Sequence, residues 1–285
     1  MSKYFLSPLL FEKSVRAAIE EDLGRAGDVT TQACIPAGKR AVAVLAPRKP
    51  GVICGLSVAE AAFRIVDPGV SFEYLAADGD AVSVPRTPVA RISGDARAIL
   101  IAERTALNFI SHMSGIATAT AKLVALTQHT KAKVICTRKT TPNLRALEKY
   151  AVRCGGGMNH RFGLDDAVLI KDNHIAVCGG IREALRAAKA YAGHMVKIEI
   201  EVDNLDQLKE VIEEGADVVL FDNMSPEDMR KGVEMIAGRM KTEASGGISA
   251  DSARAVAESG VDMLSSGALT HSSPILDIGL DIEIQ

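Results

Sequence analysis

The sequence predicts an α/β protein in two parts: a smaller, mixed helix-and-strand N-terminal domain over residues 1–112 and a closed or nearly closed α/β barrel over residues 113–270. Three observations carry that reading. After Ser114 short apolar strands and helical segments alternate in chain order, which implies a parallel sheet. No GxGxxG turn follows the first of these strands, and six strands in succession without one favour a barrel over a doubly wound sheet. The tail, residues 271–285, alternates strictly at Ile278, Leu280, Ile282 and Ile284. A lone strand needs partners, so the tail is expected to return to the N-terminal domain.

In the N-terminal part, Ser7 with Pro8 reads as an N-cap and first-turn pair, apolar Leu10, Ile19 and Leu23 recur at helical spacing, and Gly24 supplies the stop. KRAVAVLAPRKPGVICG alternates and is broken by Pro and Gly. Ser57 and Glu60 fit a capping box over AEAAFRIV. VSFEYL and PVARIS read as further strands, and from Asp95 a long helical pattern runs to Met113. In the second part the strands are KVICTR, AVLIK, VKIEIEV, DVVLFD, KTEASG and DMLSSG. The helices between them are expected to start at Thr141-Pro142, Asn204, Ser225-Pro226 and Ser249.

Composition narrows the function classes. The chain has 285 residues, 47% hydrophobic and 24% charged, which is a globular balance without repeats or low-complexity segments. A net charge of −3, four Tyr, seven Phe and no Trp give neither attraction to a phosphate backbone nor stacking platforms, so nucleic acid is not an expected partner. No leader pattern opens the sequence and no run approaches ~18 apolar residues, so no membrane partner and a cytoplasmic location are expected. Cys34, Cys54, Cys136, Cys154 and Cys178 form no CxxC pair and are odd in number, against both a disulfide framework and a zinc knuckle.

In an α/β barrel the chemistry gathers at the C-terminal ends of the strands. Here those ends are polar: Thr137, Arg138 and Lys139, then Lys171, Glu199 with Glu201, Asp222, Ser245 to Gly247, and Ser265 to Gly267. Lys171 closing an apolar run is either a lysine reaching past the sheet edge or a site residue. Glu199 and Glu201, two apart on one strand, share a face, and an interior salt-bridge layer with Lys197 or Lys171 is the structural alternative to a catalytic role. With Asp222 they suit ribose hydroxyls, a magnesium diphosphate or a cationic sugar. The two glycine loops suit a phosphate held on backbone N–H groups. Arg104, Arg138, Lys139, His160, Arg161 and Lys171 form a basic set in an acidic chain, and guanidinium groups bind carboxylates through paired donors, which suits a ligand with more than one carboxylate.

Taken together, TRKTTPNLRALEKYAVRCGGGMNHRFGLDDAVLIKDNHI, AERTALNFISHMSGIAT before it, EIEVDNLDQL, VVLFDNM, ASGGIS and SSGALTHS after it, and GDVTT at Gly27 to Thr31 resemble the quinolinate phosphoribosyltransferases. The match runs in order over essentially the whole chain. The resemblance implies an incomplete α/β barrel with a smaller N-terminal α+β domain, in a homodimer whose active site the partner's N-terminal domain completes. It implies quinolinate and phosphoribosyl pyrophosphate (PRPP) as substrates, Mg²⁺ on the PRPP, and nicotinate mononucleotide, carbon dioxide and pyrophosphate as products in NAD biosynthesis.

By the same resemblance, Arg104 reaches across from the partner, while Arg138, His160, Arg161 and Lys171 hold the quinolinate carboxylates, and Thr137 is a further substrate-binding residue. Lys139, Lys171, Glu201 and Asp222 are the expected catalytic group, the last two facing Mg²⁺ indirectly through PRPP. Ser245, Gly246, Gly247, Ser266, Gly267 and His271 are expected around the 5′-phosphate. Three rivals are weighed: a pyrophosphorylase-like relative linked to molybdenum transport, against which LIKDNH speaks; a Schiff-base aldolase using Lys171; and a non-catalytic phosphometabolite binder, which would not need both the basic set and the acidic pair.

Overall fold

The computed structural model describes residues 4–284. It divides into two compact units: residues up to 121 with 140–156 and those from 272 on, and residues 122–139 with 157–271.

The first unit holds helices α1 (Glu12–Leu23), α2 (Val29–Cys34), α3 (Leu56–Val66), α4 (Ala96–Thr127) and α5 (Arg145–Cys154), and strands β1 (Arg40–Pro47), β2 (Gly51–Val52), β3 (Ser71–Tyr74), β4 (Ala81–Val82) and β5 (Ala90–Asp95). Strand β1 is central, antiparallel to β5 on one side and to the C-terminal strand Ile278–Ile284 on the other, so the tail returns as its alternation requires. Its period-2 pattern buries Ala41, Ala43 and Leu45.

Local signals and local structure part company here in four places. Ser7 and Pro8 open a 3₁₀ turn, not α1 itself, because Phe11 breaks the helical path at φ −131° and is buried. Helix α3 has no capping box: Gly55 is its N-cap, and the Asp78 carboxylate accepts from the Gly55 and Leu56 N–H groups at 2.9 and 3.1 Å. The same carboxylate accepts from Tyr150 Oη at 2.8 Å, so a residue distant in sequence satisfies the helix's orphan donors. Helix α5 starts at Arg145, not at Thr141-Pro142. Asn143 takes φ +65°, and the Thr141 N–H donates to buried Glu148, which also faces His112 Nε2 at 2.9 Å.

Helix α4 is the largest departure. It continues well past Met113 to Thr127, and its residues up to 121 group with the first unit. It is long and apolar enough to cross a bilayer, yet Ile99, Ile110, Met113 and Ile116 are fully buried, which accounts for its apolar length as core packing. Residues 140–156 also group with the first unit, because α5 makes the Glu148 and Tyr150 contacts just described.

The second unit is built from β6 (Lys133–Ile135), β7 (Val168–Ile170), α6 (Asp172–Cys178), α7 (Ile181–Tyr191), β8 (Ile198–Val202), α8 (Leu205–Glu214), β9 (Val218–Asp222), α9 (Pro226–Ile236), β10 (Lys241–Ser245), α10 (Ala250–Glu258), β11 (Met263–Ser265) and α11 (Ala268–His271). All six strands are parallel, in the order β6-β11-β10-β9-β8-β7, so β6 and β7 are edges and the barrel is incomplete. Every residue of β8 is buried, as expected for a strand covered on both faces. The expected N-caps Asn204 and Ser225 accept from the first-turn N–H groups of α8 and α9, with Pro226 at the first helical position.

Candidate active site

Because the strands are parallel, their C-terminal ends lie on one side of the sheet. There the chain places Thr137, Arg138 and Lys139 after β6, Lys171 after β7, Glu201 near the end of β8, Asp222 closing β9, Ser245 closing β10, and Ser265 closing β11.

Glu201 is buried and fully engaged. Lys171 Nζ donates to Oε2 at 2.8 Å and the Asp172 N–H donates to Oε1 at 2.7 Å. Lys171 is thus committed to an ion pair, whereas a Schiff-base lysine needs a free neutral amine. Burial, followed by the charge of Glu201, pushes the Asp222 carboxyl above the usual carboxylate range, against the pull of Lys171. Its Oδ2 accepts from the Asn223 side-chain amide at 2.9 Å.

Two glycine loops flank this acidic pair. Gly246 and Gly247 both take left-handed φ, +96° and +56°, and a Cβ at Gly246 would lie 2.1 Å from Asn223 Oδ1, so no other residue fits. A Cβ at Gly267 would come 2.8 Å from Lys139 Cδ and 3.2 Å from His271 Nε2. Glycine there is what lets both side chains lie against the loop. Thr270 Oγ1 donates to the Lys139 carbonyl at 2.7 Å, and Thr137 Oγ1 accepts the Lys139 N–H at 3.0 Å, fixing the turn that presents Lys139. Ser266 donates its N–H to the Ile135 carbonyl and its hydroxyl to the Ile248 carbonyl, which ties the second loop to the strand layer.

The basic pair comes from the segment after Gly157. Met158 bridges to β6, donating to the Val134 carbonyl at 2.9 Å and accepting from Cys136 N–H at 3.2 Å, and this carries His160 and Arg161 in beside the strand. Arg161 Nη1 donates to the Ala167 carbonyl at 2.9 Å, while its Nε is buried without a hydrogen-bond partner. Burial, and next the charge of Arg138, hold Arg161 below the usual guanidinium range. Two guanidinium groups close enough to oppose each other's charge favour an anion between them.

His160 Nδ1 accepts the Arg161 N–H at 2.7 Å, and its Nε2 lies 2.9 Å from Glu199 Oε2. Glu199 therefore pairs with neither Lys197 nor Lys171; Lys197 pairs with Asp217 at 2.5 Å. Glu243, the other buried acid of this group, went unread in the sequence although the strand period supplies the signal, since it shares the face of Ser245 on β10. Arg104 belongs to the first unit and is exposed on α4. Along the free edge of β7 runs a separate apolar cleft of about 1070 Å³, lined by Leu169, Val177 and Tyr191 among others, with Arg161 its one member from the expected site.

This arrangement has close relatives. Residues 28–114 and 116–281 match the models of the N-terminal and C-terminal domains of quinolinate phosphoribosyl transferase. A nicotinate-nucleotide pyrophosphorylase (carboxylating) of Mycobacterium leprae is 45% identical over 277 residues, covering 94% of this chain and 96% of the relative. A probable enzyme of the same name from Bacillus subtilis is 42% identical, covering 98% and 96%. The solved structure of the nicotinate-nucleotide pyrophosphorylase from Francisella tularensis superposes with a TM-score of 0.93 at 38% identity, covering 99% of each chain. Two domain models spanning nearly the whole length, with full-length relatives above 40% identity, place the chain in the quinolinate phosphoribosyltransferase family.

Proposed function

We propose that the protein transfers the phosphoribosyl group of PRPP to the ring nitrogen of quinolinate and releases carbon dioxide, yielding nicotinate mononucleotide and pyrophosphate. The observation that carries this reading is the Arg138–Arg161 pair, with Arg161 Nε buried and unpartnered, beside the Lys171–Glu201–Asp222 group. Guanidinium groups hold the two carboxylates of the acid. As pyrophosphate leaves C1 of the ribose, positive charge builds on the sugar, and the carboxylates of Glu201 and Asp222 stabilise it. Lys139 takes charge from the leaving group. Once the ring nitrogen is quaternised, it accepts the electron pair released when the 2-carboxylate departs, and a proton then fills that position, so no organic cofactor enters. Gly246, Gly247, Gly267 and His271 suit the 5′-phosphate, through backbone N–H groups and an imidazole.

Magnesium fits this donor set, since Asp222 is held above the usual range by burial and by Glu201, a like-charge crowding that a cation relieves. When bound with PRPP it supplies neutralising charge to the diphosphate, with Glu201 and Asp222 facing it through the substrate and not as direct ligands.

The assay combines protein, Mg²⁺, PRPP and quinolinate and follows nicotinate mononucleotide. Nicotinate, lacking the 2-carboxylate, leaves cationic donors unpaired, and kcat/KM is expected to fall by at least ~10²-fold. Comparable values for the two acids, or turnover with another base alone, overturn the substrate assignment.

The working unit in this proposal is a homodimer in which Arg104 serves the partner's pocket, a reading supported by the family resemblance and by the exposure of Arg104 on α4. Mixing inactive Arg104→Ala with inactive Lys171→Ala and allowing subunit exchange then restores one intact pocket per heterodimer, roughly a quarter of wild-type activity for equal mixing. No recovery after exchange verified by mass spectrometry removes the shared site.

A further inference from the structure

Beneath the Lys171–Glu201 pair lies a second cluster, which the proposed reaction leaves unused. Glu199 on β8 and Glu243 on β10 come from alternate strands, the arrangement by which barrel strands fill one interior layer, and both are buried, at 6% and 2% exposure. His160 Nε2 lies 2.9 Å from Glu199 Oε2 and 3.7 Å from Glu243 Oε2. The three ligand-type atoms all fall within 4.8 Å of one another. Two readings compete: a small metal site, or a hydrogen-bonded triad.

The imidazole decides between them. A neutral histidine has one donor and one acceptor nitrogen. Nδ1 accepts the Arg161 N–H at 2.7 Å, so the ring hydrogen is on Nε2 and is donated to Glu199. That tautomer leaves no lone pair on Nε2 for a metal ion. The remaining oxygens agree: Oε1 of Glu199 and Oε1 of Glu243 are both buried without a protein donor, and one proton shared between the carboxyls supplies the one that is missing. Burial, followed by the charge of Glu199, pushes the Glu243 carboxyl far above its usual range, in the direction that keeps such a proton. The charge of Glu199 also supports that of Arg161.

We propose that Glu199 and Glu243 are positioning residues that fix His160 in its Nε2–H tautomer, so that His160 acts as a strut for Arg161 and not as a contact to substrate. The acid pair orients the ring, the ring's Nδ1 holds the Arg161 amide, and the Arg161 side chain is thereby aimed at the carboxylate-binding position. This deepens, and rests on, the quinolinate reading. A neutral Glu243 also leaves the charge of the Arg138–Arg161 pair offset by one interior carboxylate and not by two.

Two measurements test it. On the intact protein without substrate, ¹⁵N–¹H correlation of the histidine rings is expected to show His160 as the Nε2–H tautomer, unchanged when quinolinate is added. In kinetics, Glu199→Leu is expected to raise the KM for quinolinate at least ~10-fold with the KM for PRPP within about twofold and kcat little changed, while Glu199→Gln, which keeps an acceptor for Nε2–H, recovers most of that loss. The proposal is overturned by an Nδ1–H or doubly protonated His160, by His160 shifts that move on quinolinate binding, or by stoichiometric Zn²⁺ binding that Glu243→Gln abolishes. An unchanged KM in folded Glu199→Leu overturns it too. If Glu199→Leu does not fold, the tautomer in the wild type and in Glu199→Gln still decides the matter. Because the tautomer is read without substrate, a correct tautomer in a protein that makes no nicotinate mononucleotide supports the strut and sinks only the substrate.

Discussion

Glu201 and Glu199 stand two residues apart on the same face of β8 and are equally buried, yet they do different work. Glu201, nearer the strand's end, accepts from Lys171 Nζ and the Asp172 N–H, and so has a satisfied oxygen on each side. Glu199, one layer deeper, meets a histidine and another acid and keeps one oxygen without a protein donor. The difference teaches that depth in a parallel barrel decides the role of a carboxylate. At the mouth it is held by half-exposed partners that a substrate can recruit. In the layer below, the partners are almost fully enclosed, and in the proposal above the group orients its neighbours.

The largest expected effect tests the mouth. Lys139→Ala and Glu201→Ala are expected to lower kcat/KM by ~10²–10³-fold or more, because in the proposed reaction each group stabilises charge that develops only in the transition state. Melting temperature should change little, since the partner left behind at Glu201, Lys171, is about half exposed and is rehydrated when the pair is lost. A Glu201→Ala protein that unfolds at room temperature would make Glu201 structural and erase the contrast with Glu199.

A smaller effect sharpens the contrast through pH. Burial and the charge of Glu201 raise the folded-state pKa of Asp222. An acid with a raised folded pKa favours the native state fully only below its unfolded pKa, and that contribution is lost as pH rises through the folded value. At neutral pH an ionised Asp222 therefore costs stability. Asp222→Asn is expected to raise the melting temperature by a few degrees, ~1–3 °C, at neutral pH, to lose that advantage near pH 4, and to be nearly inactive. An Asn variant less stable than wild type at pH 7 would show that the carboxylate serves the fold.

The smallest effect comes from the opposite end of the same strands. Lys197 pairs with Asp217 at 2.5 Å with its side chain 74% exposed, and Lys197→Ala is expected to change stability by less than ~1 kcal/mol and kcat/KM not at all. An activity loss there would mean that charge anywhere on the barrel matters, not position at its mouth.

Much of the site was legible because a strand's side chains alternate and parallel strands end on one side. Those two rules bring Lys139, Lys171, Glu201, Asp222 and the glycine loops together without any contact being known. The helix starts at Asn204 and Ser225 were legible for the same local reason, an oxygen within three residues of the donors it caps. What failed was nonlocal. Ser57 and Glu60 resemble a capping box, but Asp78 reaches the start of α3 first.

The sequence by itself determined the α/β alternation, the returning C-terminal strand, the polar strand ends and the family, since each is written in spacing within a short window or in a motif. Only the tertiary structure decided that α4 runs unbroken to Thr127, that residues 140–156 belong with the first unit, that Lys171 answers Glu201, and that Glu199 and Glu243 meet at His160. The physical reason is the price of burial. A charged or hydrogen-bonding group taken from water must find a partner wherever the fold places one, and when that partner is 30 or 83 residues away no local pattern records it.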